Sequence, residues 1–110
     1  MVRLAVAAFT LAWSHTVEHT RWEEDWLVGA DHLHLDTARV EGSGAGMDPA
    51  PDAKLKDGMW VWHPGLDVAE LSLRRAPEAG DWRLCSDGTC RAIAALLPKR
   101  ADPVRIWACD

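Results

Sequence analysis

The sequence predicts an all-β fold, a small antiparallel sandwich or open barrel of about eight or nine short strands. In segment after segment, apolar and polar residues alternate with the two-residue period of a half-buried strand. Glycine, proline and aspartate separate these segments at short intervals, as they do where turns join strands. The helical signal is confined to an Ala- and Leu-rich stretch at residues 92–97, so we expect at most one short helix near the C-terminus.

The first half of the chain contains four predicted strands. Residues 2–6 and 9–13 each alternate between apolar and polar side chains, which favours two strands close to the N-terminus. Residues 22–28 and 33–37 alternate in the same way on either side of residues 29–31, whose composition is typical of a turn. We therefore expect these two strands to form a hairpin with one buried face. Residues 47–57 contain proline and aspartate and predict a loop.

The second half of the chain supplies the remaining predicted strands. They lie at residues 59–62, 68–74, 82–85, 90–93 and 103–107. Asp87-Gly88, between the third and fourth of these segments, is a strong signal for a type I′ hairpin turn. Pro98 ends the short helical stretch, because proline lacks the amide hydrogen that a helix needs.

Length, charge and hydropathy bound the class of protein. The 110 residues predict a single β domain, residues 1–110. The net charge of −5 disfavours binding to nucleic acid, because a phosphate backbone attracts a basic surface. No apolar run approaches the ~20 residues of a membrane-spanning helix, so no transmembrane segment is expected. The apolar run at residues 4–11 holds its small residues inside it, which is unlike a signal peptide.

Tryptophan is unusually frequent, since the chain has seven tryptophans, one phenylalanine and no tyrosine. Each buried indole removes roughly 150–250 Å² of surface from water, so core packing is the favoured role. The alternative is a cleft lined by rings that binds a sugar or a cation. Trp22 and Trp26 share one strand face, as do Trp60 and Trp62, and such a cleft would use these pairs.

His15, Glu18 and His19 match H-x-x-E-H, the inverted form of a zinc-protease motif. In a helix the two histidines share a face and can bind one zinc ion, with the glutamate as general base. The two residues after His15 are β-branched and favour a strand, in which the histidines stand about 13–14 Å apart at ~3.4 Å per residue. We therefore predict no metal site, and the alternative is a metal bound by His15, Glu18 and His19. A weaker surface metal site using His15, Glu18, His32 or His34 is a further alternative.

A glycine-rich segment, Gly-Ser-Gly-Ala-Gly, occupies residues 42–46. No lysine follows it, so it is not a phosphate-binding loop, and its middle residue is Gly44 rather than the serine of a nucleophile elbow. A wide bulge at a corner of the sheet is the favoured interpretation. The alternative is a nest of backbone amides around a carboxylate ligand, in which case Gly44 and Gly46 belong to the site.

The three cysteines predict one disulfide and one free thiol. Cys85 and Cys90 flank the Asp-Gly turn and face each other across the predicted hairpin. Opposed residues in a non-hydrogen-bonded pair lie about 4.5 Å apart at Cα, which favours a bridge in an oxidising compartment. Two reduced core thiols in a cytosolic protein are the alternative. Cys109 is left over as the free cysteine.

Four groups of residues follow one another in an order that is typical of one family. They are Phe9-Thr10-Leu11-Ala12-Trp13-Ser14-His15-Thr16-Val17-Glu18 with Trp22-Glu23-Glu24, Gly42-Ser43-Gly44-Ala45-Gly46-Met47, Asp57-Gly58, and Trp82-Arg83-Leu84-Cys85-Ser86-Asp87-Gly88-Thr89-Cys90-Arg91. Together they resemble the bacterial domain of unknown function 1850 family over nearly the whole chain. The family pattern around His15 is His-Ser-Val-Glu-Lys, so His19 stands where lysine is common and H-x-x-E-H is accidental.

The resemblance implies an accessory role in small-solute uptake, because members of this family are often exported and often encoded beside TRAP-type solute transporters of the TAXI class. We therefore expect a non-enzymatic module, without a cofactor, that binds a small solute or the transporter itself. The favoured compartment is the periplasm, which also suits a bridge between Cys85 and Cys90, although the chain shows no clear signal peptide.

The candidate ligand-binding residues carry the resemblance and have no evident role in the core. They are His15, Glu18, Trp22, Glu24, Gly44 and Gly46. The alternative function is a metal-binding protein or a metal-dependent hydrolase that uses His15, Glu18 and His19.

Overall fold

The computed structural model describes residues 2–14, 20–41, 51–75 and 82–109. Within these ranges the chain is almost entirely antiparallel β structure, which confirms the predicted fold class. The strands are β1 (Ala8–Ser14), β2 (Arg21–Val28), β3 (Leu33–Glu41), β4 (Lys54–Lys56), β5 (Met59–Trp62), β6 (Leu66–Val68), β7 (Glu70–Leu73), β8 (Arg83–Ser86), β9 (Thr89–Ala92) and β10 (Val104–Trp107). A 3-10 helix, Ile93–Ala95, follows β9 where a short helix was predicted. In the part of the chain that the structure describes, no helix is long and apolar enough to cross a membrane.

Among the described residues, the larger of two sheets contains eight strands in the order β4-β5-β3-β2-β1-β8-β9, with β6 also paired to β3. β2 and β3 form the predicted hairpin, and their register places Trp26 opposite Leu35. Asp25 lies opposite Thr37, so the register skips Asp36 and β3 carries one extra residue there. Because of the bulge, Leu35 and Ala38 of β3 both lie on the face that carries Trp22 and Trp26 of β2.

The second sheet is a two-stranded ribbon, β7 with β10, that packs on one face of the large sheet. Leu73 of β7 and Val104 of β10 belong to the same buried cluster as Phe9, Leu11 and Trp26 of the large sheet. Burial of each such side chain contributes roughly 1.5–3 kcal/mol before the loss of conformational entropy is counted. The two layers form a small sandwich, and the described strands do not close into a barrel.

The chain passes from one sheet to the other at Ala69, where the alternation over residues 68–74 predicted one continuous strand. β6 pairs with β3 in the large sheet, whereas β7 pairs with β10 in the ribbon. The predicted strand is confirmed as β7 over Glu70–Leu73, and it begins later than predicted because Val68 belongs to β6. Alternation identifies the residues that share a face, but partner strands decide where the chain bends.

Residues 2–6 do not form the strand that their alternation predicted. The amide of Val6 donates a hydrogen bond to the carbonyl oxygen of Leu4 at 3.0 Å, and pairing with β2 begins only at Ala8. Residues 2–5 are exposed and Val6 is half-buried, so the alternation occurs here without any pairing into a sheet.

Two Asp-Gly turns have positive φ at both central residues, as type I′ hairpins require. Asp87 (51°) and Gly88 (78°) join β8 to β9 and confirm the hairpin predicted there. Asp57 (52°) and Gly58 (82°) join β4 to β5, although residues 47–57 were predicted to be a loop. That prediction is wrong at β4, whose three residues are all exposed and carry little apolar pattern. The dipeptide Asp57-Gly58 was the local signal for this hairpin.

Cys85 and Cys90 form the predicted disulfide. They lie opposite each other on β8 and β9, with their Cα atoms 4.0 Å apart. Cys109 is free and exposed, as expected. The Asp87-Gly88 turn by itself favours the register in which Cys85 lies opposite Cys90. The disulfide and the turn therefore stabilise the same pairing of β8 with β9.

The face of the large sheet that points away from the ribbon carries an ion-pair network centred on Arg39. Its guanidinium donates hydrogen bonds to both carboxylate oxygens of Asp25 at 2.7 Å and to Oε1 of Glu23 at 2.9 Å. The Thr10 hydroxyl donates to Oδ1 of Asp25 at 2.7 Å. The network links β1, β2 and β3, and the Arg39 guanidinium holds the pKa of Asp25 below its ordinary value.

Candidate functional site

An apolar cavity of about 340 Å³ lies between the large sheet and the ribbon. It exists because a two-stranded ribbon covers only part of the broad face that eight strands present. Phe9, Val28, Leu33 and Leu84 of the large sheet form its floor. Its other walls come from the N-terminal segment, from residues around the 3-10 helix and from β10; they are Val2, Arg3, Leu4, Val6, Ile93, Leu96, Leu97, Ala101, Pro103, Val104, Arg105, Ile106, Trp107 and Cys109.

The mouth of the cavity is bordered by large apolar side chains that remain in contact with water. Val2 is 47% exposed, Leu4 is 38% exposed and Trp107 is 46% exposed. Exposed apolar side chains grouped around a concave, apolar interior are typical of a site that receives a ligand. A volume of about 340 Å³ lies at the small end of the range for small-molecule pockets, about 300–1,000 Å³.

Two arginines are the charged side chains among the described residues that line the cavity. Arg105 extends from β10, and its Nε atom lies 3.8 Å from Oε1 of Glu70 on the neighbouring β7. Both of these side chains are largely exposed, so solvent screens their attraction. Arg3 belongs to the N-terminal segment, and Cys109 also lines the cavity. The interior of the cavity is therefore apolar, and the charged side chains of its described lining, Arg3 and Arg105, are both positive.

A cluster of four indole rings lies on the ribbon-facing side of the large sheet. The rings of Trp13 and Trp22 stack with centroids 5.9 Å apart, and Trp82 lies 4.6 Å from Trp13. Trp62 meets Trp22 edge to face at 6.3 Å. All four are half-buried, whereas Trp26 is buried in the core. The core-packing prediction is thus confirmed for Trp26 and wrong for Trp107, whose indole is exposed at the mouth of the cavity.

Glu24 shares the face of the indole cluster, since it lies opposite Leu11 on β1 and Ala38 on β3. The indole Nε1 of Trp26 donates a hydrogen bond to Oε1 of Glu24 at 3.2 Å. Burial raises the pKa of Glu24, and the bond from Trp26 opposes that rise in part. Glu24 therefore stabilises the indole of a core tryptophan at the cost of a partly desolvated carboxyl group.

The predicted ligand-binding residues are placed only in part. Trp22 and Glu24 lie on β2, and neither of them lines the cavity. His15, Glu18, Gly44 and Gly46 lie outside the described residues, as do His19 and the rest of the glycine-rich segment. The site prediction and the metal alternative built on His15, Glu18 and His19 remain predictions.

His32 and His34 lie near carboxylates beside the β2–β3 hairpin. Oδ1 of Asp67 is 2.6 Å from Nδ1 of His34 and 3.9 Å from Nε2 of His32. A hydrogen bond with Asp31 raises the pKa of His32. Among the described residues, no group of three or more histidine, cysteine, aspartate or glutamate side chains is arranged to hold a metal ion. The suggested surface metal site at His32 or His34 gains no support there.

Sequence reasoning missed the cavity entirely. The alternation of residues 2–6 predicts a strand that does not form, and that of residues 103–107 predicts β10 but not its partner β7. One signal in the sequence could have indicated the cavity. Large apolar residues near both ends of the sequence, such as Val2, Leu4 and Trp107, are more than a small core can bury.

Fold and cavity together define a small antiparallel β sandwich with an apolar pocket at one end of its core. The model of the family described as Domain of unknown function (DUF1850) matches residues 9–93, and the chain belongs to this family. The match runs from β1 to the first residue of the 3-10 helix, so β10 and the N-terminal wall of the cavity lie beyond it. Comparison with curated proteins and with solved structures finds no match.

Proposed function

We propose that this protein is a non-enzymatic binding module that takes a small apolar solute into the cavity and acts in the periplasm as an accessory of a TRAP-type transporter. The observation that carries the proposal is the cavity of about 340 Å³ between sheet and ribbon. Its lining is apolar, and burying an apolar solute there removes both solute and exposed side chains from water. The transporter part of the proposal rests on the family resemblance described above.

The disulfide supports the periplasmic part of the proposal. Structural disulfides persist in oxidising compartments and are rare where glutathione keeps thiols reduced. The bridge between Cys85 and Cys90 closes the hairpin of β8 and the edge strand β9, and neither cysteine lines the cavity. Its role is therefore to stabilise the fold rather than to react with a solute.

The binding part of the proposal is tested with 1-aminonaphthalene, an uncharged fluorophore of about the size of the cavity. Its emission is expected to rise when it binds the wild-type protein. Ala101, a half-buried residue of the lining, is replaced by phenylalanine, and the added ring fills the cavity. We expect Ala101→Phe to reduce fluorophore affinity at least about tenfold, since a ring in the cavity and a bound ligand exclude each other.

Ala92→Phe is the matched control, because Ala92 is exposed on the edge strand β9 and does not line the cavity. Urea unfolding of both variants shows whether each retains the fold. Equal fluorophore affinity for the folded Ala101→Phe and Ala92→Phe variants would overturn the binding part of the proposal, as would a wild-type protein that does not bind.

Association with a transporter is tested separately, by incubating the tagged protein with detergent-solubilised membrane subunits of a TRAP-type transporter encoded in the same genome. We expect the tagged protein to retain these subunits when an extract of cellular solutes is present. The tag alone should not retain them. If the subunits pass through both with and without an extract of cellular solutes, the transporter part of the proposal is wrong.

A further inference from the structure

We infer that the cavity selects a medium-chain amphiphile with one negatively charged head group, a carboxylate, whose apolar tail fills the interior. This inference rests on the proposed function and names the class of its ligand. Its basis is that the charged side chains among the described lining residues, Arg3 and Arg105, have the same sign. The whole chain carries a net charge of −5, so a lining with two arginines and no described acidic residue departs from the general surface.

Arg105 is well suited to hold a carboxylate. A guanidinium offers five N–H donors in a planar fork that matches two carboxylate oxygens. The recorded contact of Arg105 with Glu70 is made by Nε alone, at 3.8 Å, which is too long for a strong hydrogen bond. Arg105 lines the cavity and its side chain is 64% exposed, so it can turn toward a ligand without breaking a buried ion pair.

The size of the cavity limits the tail to one chain of moderate length. A cavity of about 340 Å³ lies at the small end of the range for small-molecule pockets, about 300–1,000 Å³, which favours a single chain such as octanoate or decanoate over a lipid with two acyl chains. The expected ligand is therefore a free amphiphile rather than a membrane surface.

The apolar walls predict how affinity depends on chain length. Each methylene that moves from water into the cavity should strengthen binding roughly fourfold. Affinity should rise from butanoate through hexanoate to octanoate, and it should level off near decanoate because further methylenes find no room. A flat dependence on chain length would overturn the inference that the tail occupies this cavity.

The head group is tested by displacement of 1-aminonaphthalene with octanoate, octanol and octylammonium, which have the same tail. We expect octanoate to displace the fluorophore about tenfold better than octanol does, and octylammonium to be the weakest. Arg105→Gln should weaken octanoate about threefold to tenfold and leave octanol unchanged. Arg91→Gln is the matched control, since Arg91 is exposed on β9 and does not line the cavity.

The outcomes separate this inference from the proposed function. Equal displacement by octanoate and octanol, or strongest displacement by octylammonium, overturns the choice of an anionic head group while fluorophore binding still supports a solute site. Loss of octanoate affinity in Arg91→Gln equal to that in Arg105→Gln also overturns it, because the effect would then reflect overall charge. Failure of the fluorophore itself to bind overturns the proposed function and this inference together.

Discussion

Replacing Arg39 with alanine is expected to destabilise the large sheet more than loss of any exposed ion pair. Arg39 donates three hydrogen bonds to carboxylates on β2, and its side chain is only 23% exposed. Its removal leaves Asp25, 35% exposed, with a partly desolvated charge. Breaking a fully buried pair costs about 3–5 kcal/mol and breaking an exposed pair 0.2–1 kcal/mol. Partial exposure places Arg39→Ala between these limits, at a loss of about 2 kcal/mol.

The measurement is urea unfolding at neutral pH, followed by tryptophan fluorescence. A loss of about 2 kcal/mol corresponds to a fall of about 8 °C in Tm for a domain of this size. Arg21→Ala is the matched control, because Arg21 is 56% exposed and its Nε atom lies 3.8 Å from the same Glu23. We expect this control to lose less than about 0.5 kcal/mol, with an unchanged slope against urea.

The pH dependence gives a second check on the same network. Arg39 lowers the pKa of Asp25 in the folded state, so the folded protein binds this proton less readily than the unfolded chain does. The stability from the pair is therefore complete above the ordinary carboxyl pKa and is lost as pH falls through the lower folded value. The difference between wild type and Arg39→Ala should stay constant near neutrality and shrink in acid. A loss no larger than that of Arg21→Ala, or a difference that persists in strong acid, would refute this reasoning.

Two further predictions concern a buried carboxyl group and the cysteines. Burial raises the pKa of Glu24, so its ionised form opposes folding, and Glu24→Gln keeps an acceptor for Trp26 while removing the charge. Glu24→Gln should raise the urea midpoint at neutral pH, and the gain should vanish in acid where wild-type Glu24 is protonated; an equal gain at both pH values contradicts this. Replacing Cys85 and Cys90 together with alanine should cost about 2 kcal/mol in urea unfolding, from the chain entropy of a six-residue loop. Mass spectrometry after alkylation without reductant should show one labelled thiol, Cys109, and three labelled thiols in periplasmically produced protein would contradict the bridge.

Much of the fold follows from signals that are local in the sequence. The hairpin of β8 and β9 was predicted because Asp87-Gly88 favours a type I′ turn and because Cys85 and Cys90 stand symmetrically around it. The hairpin of β2 and β3 was predicted because both strands alternate and a short turn separates them. In each case the interacting residues are close along the chain, so backbone preferences and side-chain pattern act on the same few residues.

The cavity and the ribbon depended on the tertiary structure. Alternation in β7 and β10 shows which side chains share a face, but about thirty residues separate the two strands, and nothing local selects β10 as the partner of β7. The same limit explains why residues 2–6 alternate like a strand but pair with no other strand. The sequence alone determined the fold class, two hairpins and the disulfide. Only the packing of a narrow ribbon on a broad sheet decided where apolar surface would remain uncovered, because uncovered space depends on the shapes of both layers at once.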